Sequence, residues 1–335
     1  MKPLITAGLL AGAALVAAGA QAQESLVFGM SDAEHHPLNE RVITPWINAI
    51  NADNPGALQI EMRYGPTLVS PQNYYDRLID DVVQVVWGMT VFDPGRFPRA
   101  LVSTLPFMVP SAEAGSAALC AMYGDGAFGD EMAEIVPLLF VEFPQASLSL
   151  NGHAATSLEA MAGLKVMTGS PATAGIIQAY GGTPLSIQLP DQYEALQRGT
   201  AEGTIMNFTA FPGFHLGEVT TDHFVFPGGG ALGMVFMTRE SYDGLSDDAR
   251  AVLDRHRGCD SSRAAGAAVD GWEAGARAMV EGMPGHTVTD ATPEQIAELQ
   301  ARVGPGLIAG YSARVPGGEA LIAQFGAALA AAAAE

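Results

Sequence analysis

Residues 163–207 read GLKVMTGSPATAGIIQAYGGTPLSIQLPDQYEALQRGTAEGTIMN. Two periodicities alternate within this stretch. Leu164–Met167 is a short apolar run, Ala172–Tyr180 places apolar residues at helical spacing, and Ser186–Gln188 reads as a second strand. Gln192–Arg198 is again helical, and Thr204–Asn207 closes the series as a strand. Strands that alternate with helices build a mainly parallel sheet covered by helices on both faces, because a parallel crossover needs a helix to return the chain.

The same grammar occurs towards the N-terminus. Leu26–Met30 reads as a strand, Pro37–Ile50 as a helix carrying Leu38, Val42, Trp46, Ile47 and Ile50 on one side, and Leu58–Tyr64 as an alternating strand. Pro71–Ile79 follows as a helix and Val82–Trp87 as a third strand. Beyond the second α/β segment come a strand over Met234–Thr238, a helix over Asp247–His256 and a long Ala-rich helix over Ser261–Val280. Helices dominate from Pro293 onward. No long linker separates the two α/β segments, so the chain is expected to cross between two lobes more than once, as a hinged clamp does. The expected division is residues 1–22 as a signal peptide, 23–146 with about 231–275 as lobe 1, 147–230 as lobe 2, and about 276–335 as helices packed on both.

Lys2, the apolar run Leu4–Ala18 and the sequence Ala20-Gln21-Ala22 form a secretory signal with cleavage expected after Ala22. Its core is too short and too rich in Ala and Gly for a membrane span, and no later stretch supplies one. A soluble periplasmic protein is therefore expected. Its formal charge of -20, from 36 acidic and 16 basic residues, disfavours nucleic acid and anionic lipid as partners. Cys120 and Cys259 sit in a chain read as exported, where a disulfide and two separately buried thiols are equally economical.

Catalytic and cofactor motifs fail on context. Gly228-Gly229-Gly230-Ala231-Leu232-Gly233 satisfies the letters of a dinucleotide fingerprint, but a strand and not a helix follows it. It reads as a loop returning the chain between lobes. No nucleophile elbow or zinc-protease motif is present, and Glu34-His35-His36 lacks a third ligand at a metal-binding spacing. Neither a cofactor nor a metal is expected, nor is enzymatic activity. Candidate solute contacts are instead the residues at strand ends, where open α/β sheets bind ligands. These are Trp87, Met89 and Phe92 after one strand, Gly169 and Ser170 between a strand and a helix, and Asn207, Phe208 and Phe211 after another. Glu34 and His35 join them as polar groups of the first strand's loop.

Three motifs in order carry a family resemblance: Gly163-Leu164-Lys165-Val166, then Gly181-Gly182-Thr183-Pro184, then Tyr193-Glu194-Ala195-Leu196-Gln197-Arg198-Gly199-Thr200-Ala201-Glu202-Gly203. Together with Phe97-Pro98 and Leu105-Pro106-Phe107, this order resembles the DctP-type solute-binding proteins of tripartite ATP-independent periplasmic (TRAP) transporters. The resemblance implies a bilobal α/β periplasmic binding protein with a long bracing helix, which closes over one small solute and hands it to paired membrane subunits. An ABC-type receptor, a ligand-sensing subunit and an exported enzyme are the rival classes.

One departure bears on the solute. The family usually carries an Arg directly after its G-L-K-[IV] motif, and that guanidinium forks onto the solute carboxylate. Met167 occupies the position here, and a second basic position of the family falls near Ser147 or Ser149. Thioether and hydroxyl bring no charge, so the expected solute is either an organic acid held in a non-standard way or a neutral or amine compound. Arg41, His35 and His36 are the substitute cations the sequence offers, with Phe208 and Phe211 as aromatic walls.

Overall fold

The computed structural model describes residues 23–93 and 95–334, so the signal segment lies outside the described residues. Among the described residues, eleven strands form two sheets and eleven α-helices pack around them. The strands are β1 (Glu24–Met30), β2 (Leu58–Tyr64), β3 (Val85–Met89), β4 (Ile135–Phe143), β5 (Ser147–Leu150), β6 (Lys165–Met167), β7 (Thr183–Leu185), β8 (Gly203–Met206), β9 (Asp222–Val225), β10 (Ala231–Thr238) and β11 (Thr287–Asp290). The helices are α1 (Thr44–Asp53), α2 (Tyr74–Ile79), α3 (Ala112–Gly124), α4 (Pro171–Ala179), α5 (Leu189–Gln197), α6 (Ala210–Phe214), α7 (Arg239–Asp243), α8 (Asp247–His256), α9 (Cys259–Glu281), α10 (Pro293–Ser312) and α11 (Gly318–Ala332).

The first sheet has the order β2-β1-β3-β10-β4 and the second β11-β9-β5-β8-β6-β7. Within each sheet the expected parallel pairs occur, β1 with β2 and β3, and β6 with β7 and β8. The sheets are nevertheless mixed. β10 runs antiparallel to β3 and β4, and β5 antiparallel to β8 and β9. The cause is the crossing itself, since β4 leaves the first sheet to become β5 and β9 leaves the second to become β10. A strand that brings the chain in from the other lobe enters at the edge where the parallel strands end, so it runs against them.

The crossings are bonded to each other. The Ala146 N–H donates to the Gly229 carbonyl at 2.8 Å, and the Gly229 N–H donates to Gln145 Oε1 at 2.7 Å. Gly229 has φ +104°, and a Cβ there would stand 2.6 Å from the Thr104 carbonyl oxygen. Only glycine fits such a site. The glycine triplet is thus part of the hinge, as its strand context predicts. α9 forms a third bridge, packed along α3 and β4 at its start and reaching the second lobe further on. α10 forms a fourth, with Leu299 and Val303 in the core of the second lobe and Tyr311 in that of the first.

Cys120 of α3 and Cys259 at the start of α9 are joined in a disulfide that closes a separation of 139 residues. Closing so long a loop removes conformational freedom from the unfolded chain. Two expectations need correction. The strand expected at Ser186–Gln188 lies at Thr183–Leu185, where all three residues pair with Lys165–Met167 of β6. The segment after residue 276, expected to be helical, also contributes β11, which extends the second sheet along β9.

Candidate functional site

Strand direction decides where a site can form. β1 and β3 end at one edge of the first sheet, and pairing of Gly233 with Met89 and of Ala231 with Phe143 brings the start of β10 and the end of β4 to the same edge. In the second sheet the ends of β6 and β8 and the start of β5 share an edge, with Ser147 opposite Met206. Since the chain crosses from β4 to β5 and from β9 to β10 at these edges, the two face each other. The loops that follow the strands form the walls of the seam.

On the second-lobe edge, polar groups are satisfied internally. Ser170 caps α4 by accepting the Thr173 N–H at 3.2 Å, its own N–H donates to Thr168 Oγ1, and the Thr168 and Thr173 hydroxyls bond to each other. The beginning of this helix is pre-set by Pro171 in its first turn. Gly169 is exposed, and a Cβ there would meet nothing within 4 Å. Asn207 donates to the Pro144 carbonyl at 3.3 Å and accepts from the Thr209 hydroxyl at 2.7 Å. The N–H groups of Phe208 and Thr209 donate to the carboxylate of Glu273 on α9, at 3.0 and 2.7 Å. Burial pushes that carboxyl up to about 7, against the pull of the two N–H groups.

The structure brings Ser149, Phe208 and Phe211 together, but inside the second lobe and around a residue not expected there, His223. Ser149 Oγ lies 2.8 Å from His223 Nδ1, and both phenyl rings lie within 6 Å of the imidazole. Ser149, Phe208, Phe211 and His223 are each at most 1% exposed. Burial and the neighbouring His286 hold His223 down to about 4. These residues lie in the core of the lobe, gathered about the imidazole. Met167 is likewise fully buried, in the same apolar cluster as Leu196, Phe208 and Phe211.

The first-lobe edge differs. Glu34 and His35 point to solvent, His35 pairing with Glu40 at 3.3 Å. Neither lines the seam, because the turn after β1 carries its neighbours inward instead. His36 packs edge-on against Phe214 of α6, 6.2 Å away, and Trp272 of α9, 5.8 Å away. A Cβ on Gly213 would come within 3.2 Å of His36 Nε2, so this contact between lobes uses the absence of a side chain. Asp32 lies in the same turn; burial raises its carboxyl above the ordinary range and His36 draws it back. A π-helical turn, Asn39–Ile43, follows. Asn39 is buried, its amide donates to the Ala33 carbonyl at 2.8 Å, and its Oδ1 has no partner. Trp272 Nε1 is buried without a partner as well.

Trp87 is a core residue, 3% exposed, edge-on to Phe143 and so close above Gly233 that any side chain there would collide with its ring. Its ring lies in the same apolar cluster as Trp272, with Phe143 against both. Met89 is half-buried at the strand's end and Phe92 is exposed. Phe143, which ends β4, also lies edge-on to Trp272. Sequence reasoning offered His36 as a substitute cation but missed Asp32, Asn39, Trp272 and Glu273 as seam residues. The one available clue was a bulky aromatic next to an acid, Trp272-Glu273, in a helix otherwise rich in Ala and Gly.

Lys and Arg are absent from the strand-end segments 31–38, 144–146, 168–170 and 207–209. After β3, Arg96 is paired with Asp93 and lies over the Tyr75 ring, and Arg99 bonds the carbonyls of Ala127 and Pro316. Arg41 is exposed. Among the described residues no three His, Cys, Asp or Glu side chains gather as a metal site would require.

Known proteins share this architecture. A TRAP solute-binding protein from Rhodoferax ferrireducens T118, solved with copurified benzoate, is 22% identical and superposes with a TM-score of 0.85 over 93% of this chain and 99% of its own. One from a marine metagenome, specific for aromatic acid ligands and solved with 3-hydroxybenzoate, is 25% identical with a TM-score of 0.85 over 92% and 99%. A third, from Bordetella bronchiseptica with bound mandelate, is 23% identical with a TM-score of 0.80 over 92% and 99%. These relatives are solute-binding receptors, not enzymes. Residues 28–309 match the model of the DctP family, and the chain belongs to this family of bacterial extracellular solute-binding proteins, family 7.

Proposed function

We propose that this receptor captures a small organic acid with an aromatic body between its lobes and delivers it to the membrane subunits of a TRAP transporter. The observation that carries the proposal is the make-up of the seam: half-buried thioether and aromatic groups (Met89, Met206, Phe214) and neutral hydrogen-bonding groups (Asn207, Thr168, Ser170), with no guanidinium from the strand ends. Burying one aromatic ring supplies about 2–3 kcal/mol, which lessens the dependence on a charge clamp. The carboxylate is then met by the second N–H of the Asn207 amide, the first being given to the Pro144 carbonyl, and simple dicarboxylates, with two charges and little apolar surface, are rejected. The aromatic acid bound by the 25% identical relative supports this class. The export signal read in residues 1–22 fits an extracellular family, with the mature chain beginning at Gln23.

A thermal-shift screen tests the proposal, because a ligand that binds only the folded state raises the melting temperature. Benzoate and 3-hydroxybenzoate are expected to stabilise the protein and succinate is not. A shift with succinate alone would return the site to a dicarboxylate type. A shift with aromatic amines alone would make Asp32 the counter-charge and the solute a cation.

A further inference from the structure

Buried polar groups are normally satisfied, so an orphan donor and an orphan acceptor on two elements that pack together call for an explanation. The Trp272 indole N–H is the donor, on a side chain 5% exposed, and Asn39 Oδ1 is the acceptor, on a fully buried residue. α9, which carries Trp272, packs on the π-helical turn that begins with Asn39. A π-turn is a costly geometry that recurs at functional sites. His36, three residues before Asn39, touches the Trp272 ring from the lobe seam. The indole ring also rests edge-on against Phe143 at the end of β4, so its surroundings are aromatic as well as polar.

We propose that Trp272 and Asn39 read a hydroxyl group on the solute, the indole N–H donating to the hydroxyl oxygen and Asn39 Oδ1 accepting its proton. A hydroxyl suits the pair because it is donor and acceptor at once, whereas a carboxylate would meet the Asn39 oxygen as like against like. The acid group therefore lies away from this corner, towards the neutral donors of the second lobe. This inference rests on the aromatic-acid proposal and adds a preference within that class: the hydroxylated ring is favoured over the plain one. A ring without the hydroxyl leaves both groups unpaired, and a site built to bond a hydroxyl discriminates strongly against its absence.

The experiment is calorimetric titration of wild type and Trp272→Phe with benzoate and 3-hydroxybenzoate. Wild type is expected to bind 3-hydroxybenzoate at least roughly tenfold more tightly, the scale of one or two buried hydrogen bonds. Trp272→Phe keeps an aromatic ring and removes the indole N–H; it should weaken 3-hydroxybenzoate far more than benzoate and so lose most of the preference. An undiminished preference in Trp272→Phe, or none in wild type, overturns the inference and leaves the aromatic-acid class standing. Binding of neither acid by wild type overturns both. A second measurement holds should the variant misfold: in wild type, the ¹⁵N–¹H signal of the Trp272 indole should move on adding 3-hydroxybenzoate and much less with benzoate. Equal movement with both acids, or none with either, overturns it.

Discussion

The two edges that face each other across the seam are built on the same strand-end geometry but leave their polar groups in opposite states. On the second lobe, Thr168, Ser170 and Thr173 bond one another, Asn207 bonds Pro144 and Thr209, and Glu273 takes the N–H groups of Phe208 and Thr209. On the first lobe, Asn39 Oδ1 and Trp272 Nε1 have no partner, and Asp32 is half-buried beside the His36 imidazole. The second edge keeps little beyond one N–H of the Asn207 amide to offer a solute, and the first has whole groups left to bond. Satisfied groups contribute to folding, whereas unsatisfied ones cost folding energy that a solute can return. Substitutions should therefore act mainly on stability at the second-lobe edge and mainly on binding at the first-lobe edge.

The contrast is broken or sharpened by substitution, starting where the largest effect is expected. Met167→Arg would introduce the guanidinium that the family resemblance leads one to expect at this position, but Met167 is 0% exposed among apolar side chains. A guanidinium there has no partner, and denaturant unfolding should show a loss of about 3–5 kcal/mol. Should the variant fold with wild-type stability and gain succinate binding, the second edge is a latent clamp and the contrast fails.

Glu273→Ala strands the N–H groups of Phe208 and Thr209, and a loss of about 2–3 kcal/mol is expected by the same method. Glu273 also sets a pH dependence. Its folded value of about 7 lies above the ordinary 4.5, so the folded state holds a proton that the unfolded chain has released between those limits. Its contribution to stability thus falls as pH rises through that window. Burial gives Glu131 the same sign, also with a value of about 7. His223, held down to about 4, acts oppositely, and its contribution falls as pH drops from about 6.5 towards 4. Melting curves of wild type and Glu273→Ala across this range should differ in slope; parallel curves would remove Glu273 as a buried titrating group.

Ser170→Ala removes the cap of α4 and should cost about 1 kcal/mol in the same unfolding assay, with solute affinity nearly unchanged. A large loss of affinity instead would show that this hydroxyl serves the solute, against its internal bonding. The smallest change is expected at Trp272→Phe, within about 0.5 kcal/mol in stability, because the N–H it removes bonds nothing in the folded protein. A loss of several kcal/mol would mean that the first edge is structural too.

The parts of the fold that were legible in the sequence carry local marks. α8 was read with its observed limits, Asp247–His256, because Ser246 caps it and two acidic residues fill its first turn. α9 differs from expectation by two residues at the start and one at the end. β4 escaped notice because all nine of its residues are buried, which erases the alternation that marks a strand, and Pro137 argues against one. It is accommodated where the register against β10 shifts, between Val235 and Phe236. β7 was misplaced by three residues, since register in a three-residue strand is set by its partner β6 and not by its own pattern.

The site was less legible for a geometric reason. His35 and His36 are equivalent as letters, and only the course of the turn sends His36 between the lobes and His35 into solvent. Trp87 and Trp272 differ in the same way. Trp87 ends an apolar run at a strand terminus, which suggests a ligand wall, but the pleat turns its ring into the core over Gly233. Trp272 lies mid-helix, far along the chain from any strand end, and reaches the seam only because α9 crosses from one lobe to the other.

That pair of tryptophans supplies the most direct test of where the solute binds. In a Trp46→Phe, Trp87→Phe double variant, Trp272 is the one remaining fluorophore of its kind; in Trp46→Phe, Trp272→Phe it is Trp87. Titration of both with 3-hydroxybenzoate, exciting only tryptophan, should change the emission of the first protein and leave that of the second nearly constant. A change confined to the Trp87 protein would place the solute elsewhere and contradict the account.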